Sequence, residues 1–223
     1  MLREVKIWAS LRHPNVVTFH GWILEFFQED TTCAKLISAW CERGNVSEYL
    51  KRTPDADRRR LVVDISEGLA YLHLQNVIHG DIKPENIVVR GGCAMLCDFG
   101  LSCMLLDFST YREESSAADG SLRFTFPELL GDHVQNHDRK SDVWAFGCAS
   151  GQVLSGIRPY AAVLGDLQVL RAVQSGEPPY VWKESDEFFA NLERCLKQDP
   201  EERATIEQVV QSFRWDYLNS VGR

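Results

Sequence analysis

The chain has 223 residues, 44% of them apolar and 25% charged, with a formal net charge of −8. That length and balance suit one sizeable globular domain and exclude a low-complexity or disordered chain. The acidic surplus argues against nucleic acid and anionic membrane surfaces as partners, and no apolar run approaches the ~20 residues that span a bilayer. Seven cysteines, at 33, 41, 93, 97, 103, 148 and 195, include no Cys-x-x-Cys pair. They give no zinc signature and, being odd in number, no closed disulfide framework. Reduced thiols and the absence of a signal-peptide layout point to a soluble cytoplasmic or nuclear protein.

Residues 2–12 carry Val5, Ile7, Trp8 and Leu11 at helical spacing, and His13-Pro14 ends that segment, because the residue before proline is pushed out of the helical region. Two strand-like runs follow, Val16 to Leu24 and Cys33 to Trp40, around the polar stretch Gln28 to Thr32. Val46 to Lys51 reads as a short helix. Arg58 to Leu74 reads as a long one, with Leu61, Ile65, Leu69 and Leu72 as its apolar stripe. The run Arg58-Arg59-Arg60, with Asp64 and Glu67 after it, reads as a solvated helix face. Short strands are expected at Val77-Ile78, Ile87 to Val89 and Ala94 to Cys97, the last two joined by Gly91-Gly92. Cys103 to Ser121 is polar. Beyond it, helices are expected over 143–154, 166–174, 185–197 and 205–215, punctuated by prolines.

The chemistry concentrates in His79-Gly80-Asp81-Ile82-Lys83-Pro84-Glu85-Asn86, followed twelve residues later by Asp98-Phe99-Gly100. Phosphoryl transfer from a nucleotide needs an oriented acceptor, metal ions against the phosphates and positive charge near the transition state. Asp81 offers a carboxylate for an acceptor hydroxyl, Lys83 a cation, and Asn86 and Asp98 hard oxygen ligands for Mg²⁺. Both motifs lie on loops at strand ends, where function concentrates. Their order and spacing resemble the catalytic loop and metal-binding motif of the protein kinase family. Asp-Val-Trp-Ala-Phe-Gly from Asp142, Phe126-Pro127-Glu128 and Asp199-Pro200-Glu201-Glu202-Arg203 resemble three further kinase motifs. Small-molecule phosphotransferases, which share His-Gly-Asp, lack that trio.

The resemblance runs from Glu4 to Arg203 and is nearest to tyrosine-kinase-like serine/threonine kinases. It implies an α+β fold with a kinase domain over 1–218: a partial small lobe over 1–40, holding one helix and the last strands, and a mainly helical large lobe over 41–218. It implies Asp81 and Lys83 as catalytic residues, Asn86 and Asp98 as metal ligands, and ATP with Mg²⁺ as cofactors. Ala39 and Cys41 would touch the adenine through their backbones, Val88 would close its pocket, and Ser38 would guard it. Glu4, His79, Phe99, Glu128, Asp142 and Arg203 would be structural or regulatory: His79 and Phe99 stacked with Trp8 between lobes, Glu128 and Arg203 a buried ion pair. The partner implied is a protein substrate with Ser/Thr hydroxyls, with the Ser121 hydroxyl near Asp81 and Lys83. Thr110, Ser115 and Ser116 are candidate phosphosites, and the oligomeric state is left open.

Two departures stand out. Gly80 replaces the arginine that pairs with a phosphorylated activation segment, so regulation through that residue is not expected. No stretch reads Gly-x-Gly-x-x-Gly, and no strand lysine precedes Glu4. The resemblance is therefore to a kinase domain that starts late, an incomplete kinase sequence or a short pseudokinase scaffold. As written, it is expected to transfer phosphate poorly for want of phosphate positioning and charge.

Overall fold

The computed structural model describes residues 2–26, 32–99, 103–104, 121–130, 137–182 and 187–221. Its helices are α1 (Leu2–Ser10), α2 (Val46–Arg52), α3 (Arg58–Leu74), α4 (Arg139–Ser155), α5 (Asp166–Gln174), α6 (Glu187–Cys195) and α7 (Ile206–Val221). Its strands are β1 (Phe19–Phe26), β2 (Thr32–Ser38), β3 (Val77–Ile78), β4 (Ile87–Arg90), β5 (Cys93–Leu96) and β6 (Cys103–Met104). They pair antiparallel, β1 with β2, β3 with β6 and β4 with β5. Strands early and helices late make this the α+β arrangement expected. Among the described residues, no helix is long and apolar enough to cross a membrane.

Helix α3 is the axis of the larger part. Leu61, Ile65, Leu69 and Leu72 are buried, and Gly68 lets the chain at Asn15 pass so close that an added Cβ would sit 2.6 Å from its carbonyl oxygen. Asn15 is spoken for on both sides: its amide donates to Ala94 O (2.9 Å), and its carbonyl accepts from Leu96 N–H (2.9 Å). Val17 N–H donates to Leu96 O, so Val16 and Val17 lie along β5. That is why β1 starts at Phe19 and not at Val16. Gly91 and Gly92, at φ 57° and 84°, close the β4–β5 hairpin, the pair of left-handed residues that a two-residue turn of this twist demands.

The arginine run is less solvated than its charge suggests. Arg58 is half-buried and donates to Val153 O (2.5 Å) on α4, while Arg60 pairs with the buried Asp64 (3.2 Å). Asp64 also accepts from Ala94 N–H (3.0 Å), tying α3 to β5. Helix α4 begins three residues before Asp142, where Asp138 and Ser141 form a reciprocal capping box.

Two buried polar assemblies fix the loop after β3 and the chain beyond it. Asp142, fully inside on α4, accepts the backbone N–H groups of His79 and Gly80 (2.9 Å each) and a bond from His73 Nε2 (2.9 Å). Burial pushes its carboxyl up, yet the His73 bond and the Gly80 N–H, with the field of His73, hold it below the usual carboxylate range. Farther along, Arg203 meets Glu128 through two parallel bonds of 2.8 and 2.9 Å and also donates to the carbonyls of Lys197 and Lys140. Its guanidinium lies 5.2 Å from the ring centre of Trp144.

Two tests follow from these contacts. Glu128→Ala strands the buried Arg203 charge and should cost ~3–5 kcal/mol of unfolding free energy, measured by urea titration; a loss within experimental error would mean the pair is solvated in solution. His79 lies wholly inside, and burial lowers its pKa from the ordinary value. Its unfolded form binds a proton at about pH 6.5 and its folded form only at lower pH, so stability is full above that value and falls as pH drops. His13 and His137, also lowered by burial, act in the same direction. The urea midpoint should therefore fall between about pH 7.5 and 5.5, and His79→Tyr, which keeps a ring and a donor, should flatten that slope. An identical slope in the variant would remove His79 from the account.

Candidate active site

Strand β3 delivers the chain to Asp81, and a single turn over Pro84–Asn86 carries it back into β4. Within that short excursion, Asp81 Oδ2 accepts from Lys83 Nζ (2.7 Å) and from Asn86 Nδ2 (2.8 Å). The same Asn86 nitrogen donates to Asp81 O (2.9 Å). Asn86 is buried, whereas Asp81 and Lys83 each keep about a fifth of their side chains in solvent. With its nitrogen committed to Asp81, the Asn86 amide has its orientation set and presents Oδ1 as its remaining polar atom.

The second loop is fastened to the first by backbone. Cys97 N–H donates to Asn86 O (3.0 Å), so the residue before Asp98 is held against the residue proposed to share a metal with it. Asp98 is exposed and lies at φ 64°, which turns the chain sharply after β5. The Cys97 thiol is pushed up to about 12, first by burial and then by the Asp98 charge. An exposed carboxylate and an oriented amide oxygen are a fitting donor set for Mg²⁺, which takes one or two protein oxygens and keeps water and phosphate for the rest. Among the described residues no group of three His, Cys, Asp or Glu side chains could hold a metal.

Behind the loops stands a continuous aromatic stack. Phe99 is completely buried, with ring centres of Trp8 and His79 each 5.4 Å away, and Trp8 packs on Phe19 at 5.2 Å. Trp8 Nε1 donates to Val17 O, which pins α1 to the chain before β1. Asp81 N–H donates to His79 Nδ1 (3.3 Å), so the imidazole proton sits on Nε2 and is given to Cys97 O (3.1 Å). One neutral histidine thereby touches both loops. Gly80, at φ 80°, leaves this corner in the left-handed region that glycine favours.

The residues expected to wall the nucleotide lie as follows. Ala39, Cys41 and Val88 are all half-buried and border one core cluster. Ala39 N–H is taken by Thr18 O (2.9 Å) and Cys41 O by Gly44 N–H (3.2 Å). Val88 sits in β4 opposite Met95 and bridges to Asn45. Ser38 ends β2 opposite Phe19. Glu4 is on α1, but its side chain lies outside the described residues, as do the Ser121 side chain, Gly100, Thr110, Ser115, Ser116 and Gly120.

Three contributors were not expected from the sequence. His73, the imidazole partner of Asp142, continues the i, i+4 row Leu61–Ile65–Leu69, so its inward placement was available in the spacing. Arg139 holds the end of α3 through His73 O and Asn76 Oδ1 (2.8 Å each). Arg123, buried, donates to the carbonyls of Pro159, Tyr160 and Val163; nothing in its neighbourhood of the sequence announces that role.

The sequence profile described as the protein kinase domain matches residues 1–214. The chain is 29% identical over 239 residues to receptor-interacting serine/threonine-protein kinase 1 of Homo sapiens, covering 99% of this chain and 35% of that protein. It is 33% identical over 208 residues to serine/threonine-protein kinase RUNKEL of Arabidopsis thaliana, covering 91% of this chain and 15% of that one. To mitogen-activated protein kinase kinase kinase 4 of Mus musculus it is 29% identical over 212 residues, covering 93% and 13%. The chain thus spans about a third or less of the length of these relatives. A domain match running from residue 1 to residue 214, joined to the Asp81, Asn86 and Asp98 geometry, establishes that this chain belongs to the protein kinase family.

Proposed function

We propose that this domain transfers the γ-phosphate of Mg²⁺-bound ATP to serine or threonine hydroxyls of a protein substrate. The observation that carries the reading is the Asp81 carboxylate clamped between Lys83 Nζ and Asn86 Nδ2. Such a carboxylate is oriented before substrate arrives, ready to accept the hydroxyl proton of an acceptor. Lys83, beside it, supplies positive charge where the transferred group gains negative charge. Asn86 and Asp98 would hold the metal ion, which neutralises the phosphates when bound. The backbone groups of Ala39 and Cys41 would meet an adenine edge, with Val88 beneath; Ala39 O also accepts from Cys41 Sγ (3.8 Å). The lysine two residues after Asp81 and two relatives named serine/threonine kinases support hydroxyls of that class.

The domain proposed covers 1–218, with the smaller lobe over 1–40 and the larger over 41–218. The competing reading is a scaffold that binds partners without transfer. Asp81→Asn keeps the shape of the clamp and removes the base. It should lower kcat for protein phosphorylation by about 10²–10⁴-fold while leaving the urea midpoint near that of the parent, and the product should be phosphoserine or phosphothreonine. Transfer unchanged by the substitution would take the assigned role from Asp81 and favour the scaffold.

A further inference from the structure

Two arginines are buried in this molecule, and only one of them has an anion. Arg203 and Arg123 are 2% and 4% exposed. Arg203 meets the Glu128 carboxylate as well as carbonyls. Arg123 meets carbonyls alone: Nη1 donates to Pro159 O (2.9 Å) and Tyr160 O (2.8 Å), and Nη2 to Val163 O (3.1 Å). Among the described residues it forms no ion pair. Burial and the like charge of Arg158 lower its pKa from the ordinary arginine value, and Asp166 opposes them only through its field. Buried charges are as a rule paired. The three carbonyls brace a turn in which Tyr160 stands at φ 53°, but a neutral amide could do that, so the bracing does not account for the charge.

The donors that remain have a shape. A guanidinium carries five N–H groups, and three are spent here. Those left, on Nε and Nη2, form the fork that a carboxylate or phosphate bridges with two bonds. Arg158 adds a second cation next to Pro159, whose carbonyl Arg123 holds. It is exposed, forms no ion pair among the described residues, and borders an open hollow of about 420 Å³ with Tyr160, Val163 and Glu177. Glu177 takes its bond from Ser175 Oγ (3.4 Å) instead. The place matters as much as the charge. Arg123 lies in the single turn Ser121–Phe124, just before Phe126, whose ring meets His137 edge-on at 5.1 Å. His137 lies in the fields of Asp142 and Asp81, so this segment borders the catalytic loop.

We propose that Arg123 and Arg158 form an anion subsite beside the acceptor site, reading a carboxylate or phosphate that the protein substrate carries near its acceptor hydroxyl. The inference rests on the transferase reading above and narrows its substrates to those with an acidic flank. The test is fluorescence anisotropy with labelled peptides that carry one central serine. Glutamate is placed in turn at each flanking position, with phosphoserine, glutamine and lysine peptides alongside, and transfer from ATP is assayed on the same set. At one flanking position the glutamate or phosphoserine peptide should bind at least about tenfold tighter than the glutamine peptide. Whichever of the two binds tighter identifies the anion. Arg158→Glu, on an exposed side chain, should erase that margin and favour lysine. Arg123→Gln, which keeps two donors and loses the charge, should erase it too, with circular dichroism to verify folding. A parent that binds none of the peptides or treats glutamate and glutamine alike, or a margin that survives Arg158→Glu, would overturn the subsite. So would an Arg123→Gln protein with a lower urea midpoint and an intact margin, because Arg123 would then be a brace only. Preference without transfer would sink the kinase reading and leave the subsite standing; transfer without preference would do the reverse.

Discussion

Everything around the catalytic loop hangs on one buried carboxylate. Asp142 takes two consecutive backbone N–H groups, from His79 and Gly80, and the imidazole of His73. A charge removed from water is tolerable only when its oxygens are saturated with donors, and here the donors come from the helix before the loop and from the loop itself. Asp142 is therefore anchor and organiser together. Because it sits on α4, whose buried face runs from Ser141 to Val153, the loop inherits the rigidity of the most deeply enclosed helix.

From that anchor the site is built outward with short connections. His79 reaches the Cys97 carbonyl, Phe99 seals the gap beneath Trp8, and Asn86 and Cys97 share a backbone bond. No side chain of the clamp needs a long flexible arm except Lys83, and its head is fixed on Asp81. Glu128 and Arg203 perform a comparable service at the far end, fastening the segment after the described loops to the helical body.

Much of this was legible from residue order. Helix α3 matches its apolar stripe end to end, because Leu61 to Leu72 repeat at a period that only a helix satisfies. Two of the three short strands, β3 and β4, were marked by β-branched residues, and the hairpin to β5 by Gly91-Gly92, whose left-handed backbone permits little else. The stack of Trp8, Phe99 and His79 and the Glu128–Arg203 pair were expected from family resemblance alone; the rings lie 5.4 Å apart in sequence-distant pairs and the ion pair closes at 2.8 Å. What stayed hidden were contacts between distant segments. Val16 reads as strand, yet its neighbour Val17 bonds to Leu96, some eighty positions away, and no local pattern encodes that partner. Arg58 looks like surface charge until its carbonyl acceptor on α4 is known. The start of α4 is legible in Asp138 and Ser141, a capping pair three residues apart, although the apolar run itself begins only at Val143.

The bond from Cys97 N–H to Asn86 O has a thermodynamic consequence. Two oxygen donors borne on separate loops would ordinarily have to be gathered at the moment a cation binds, and the lost freedom would weaken binding. Here folding already ties the backbones of the two loops together at Cys97 and Asn86. Any ion that Asn86 and Asp98 grip together recognises only the native chain, for in the unfolded ensemble those donors lie apart. Binding and folding would then be linked equilibria, and a cation that saturates the pair would stabilise the folded chain by mass action.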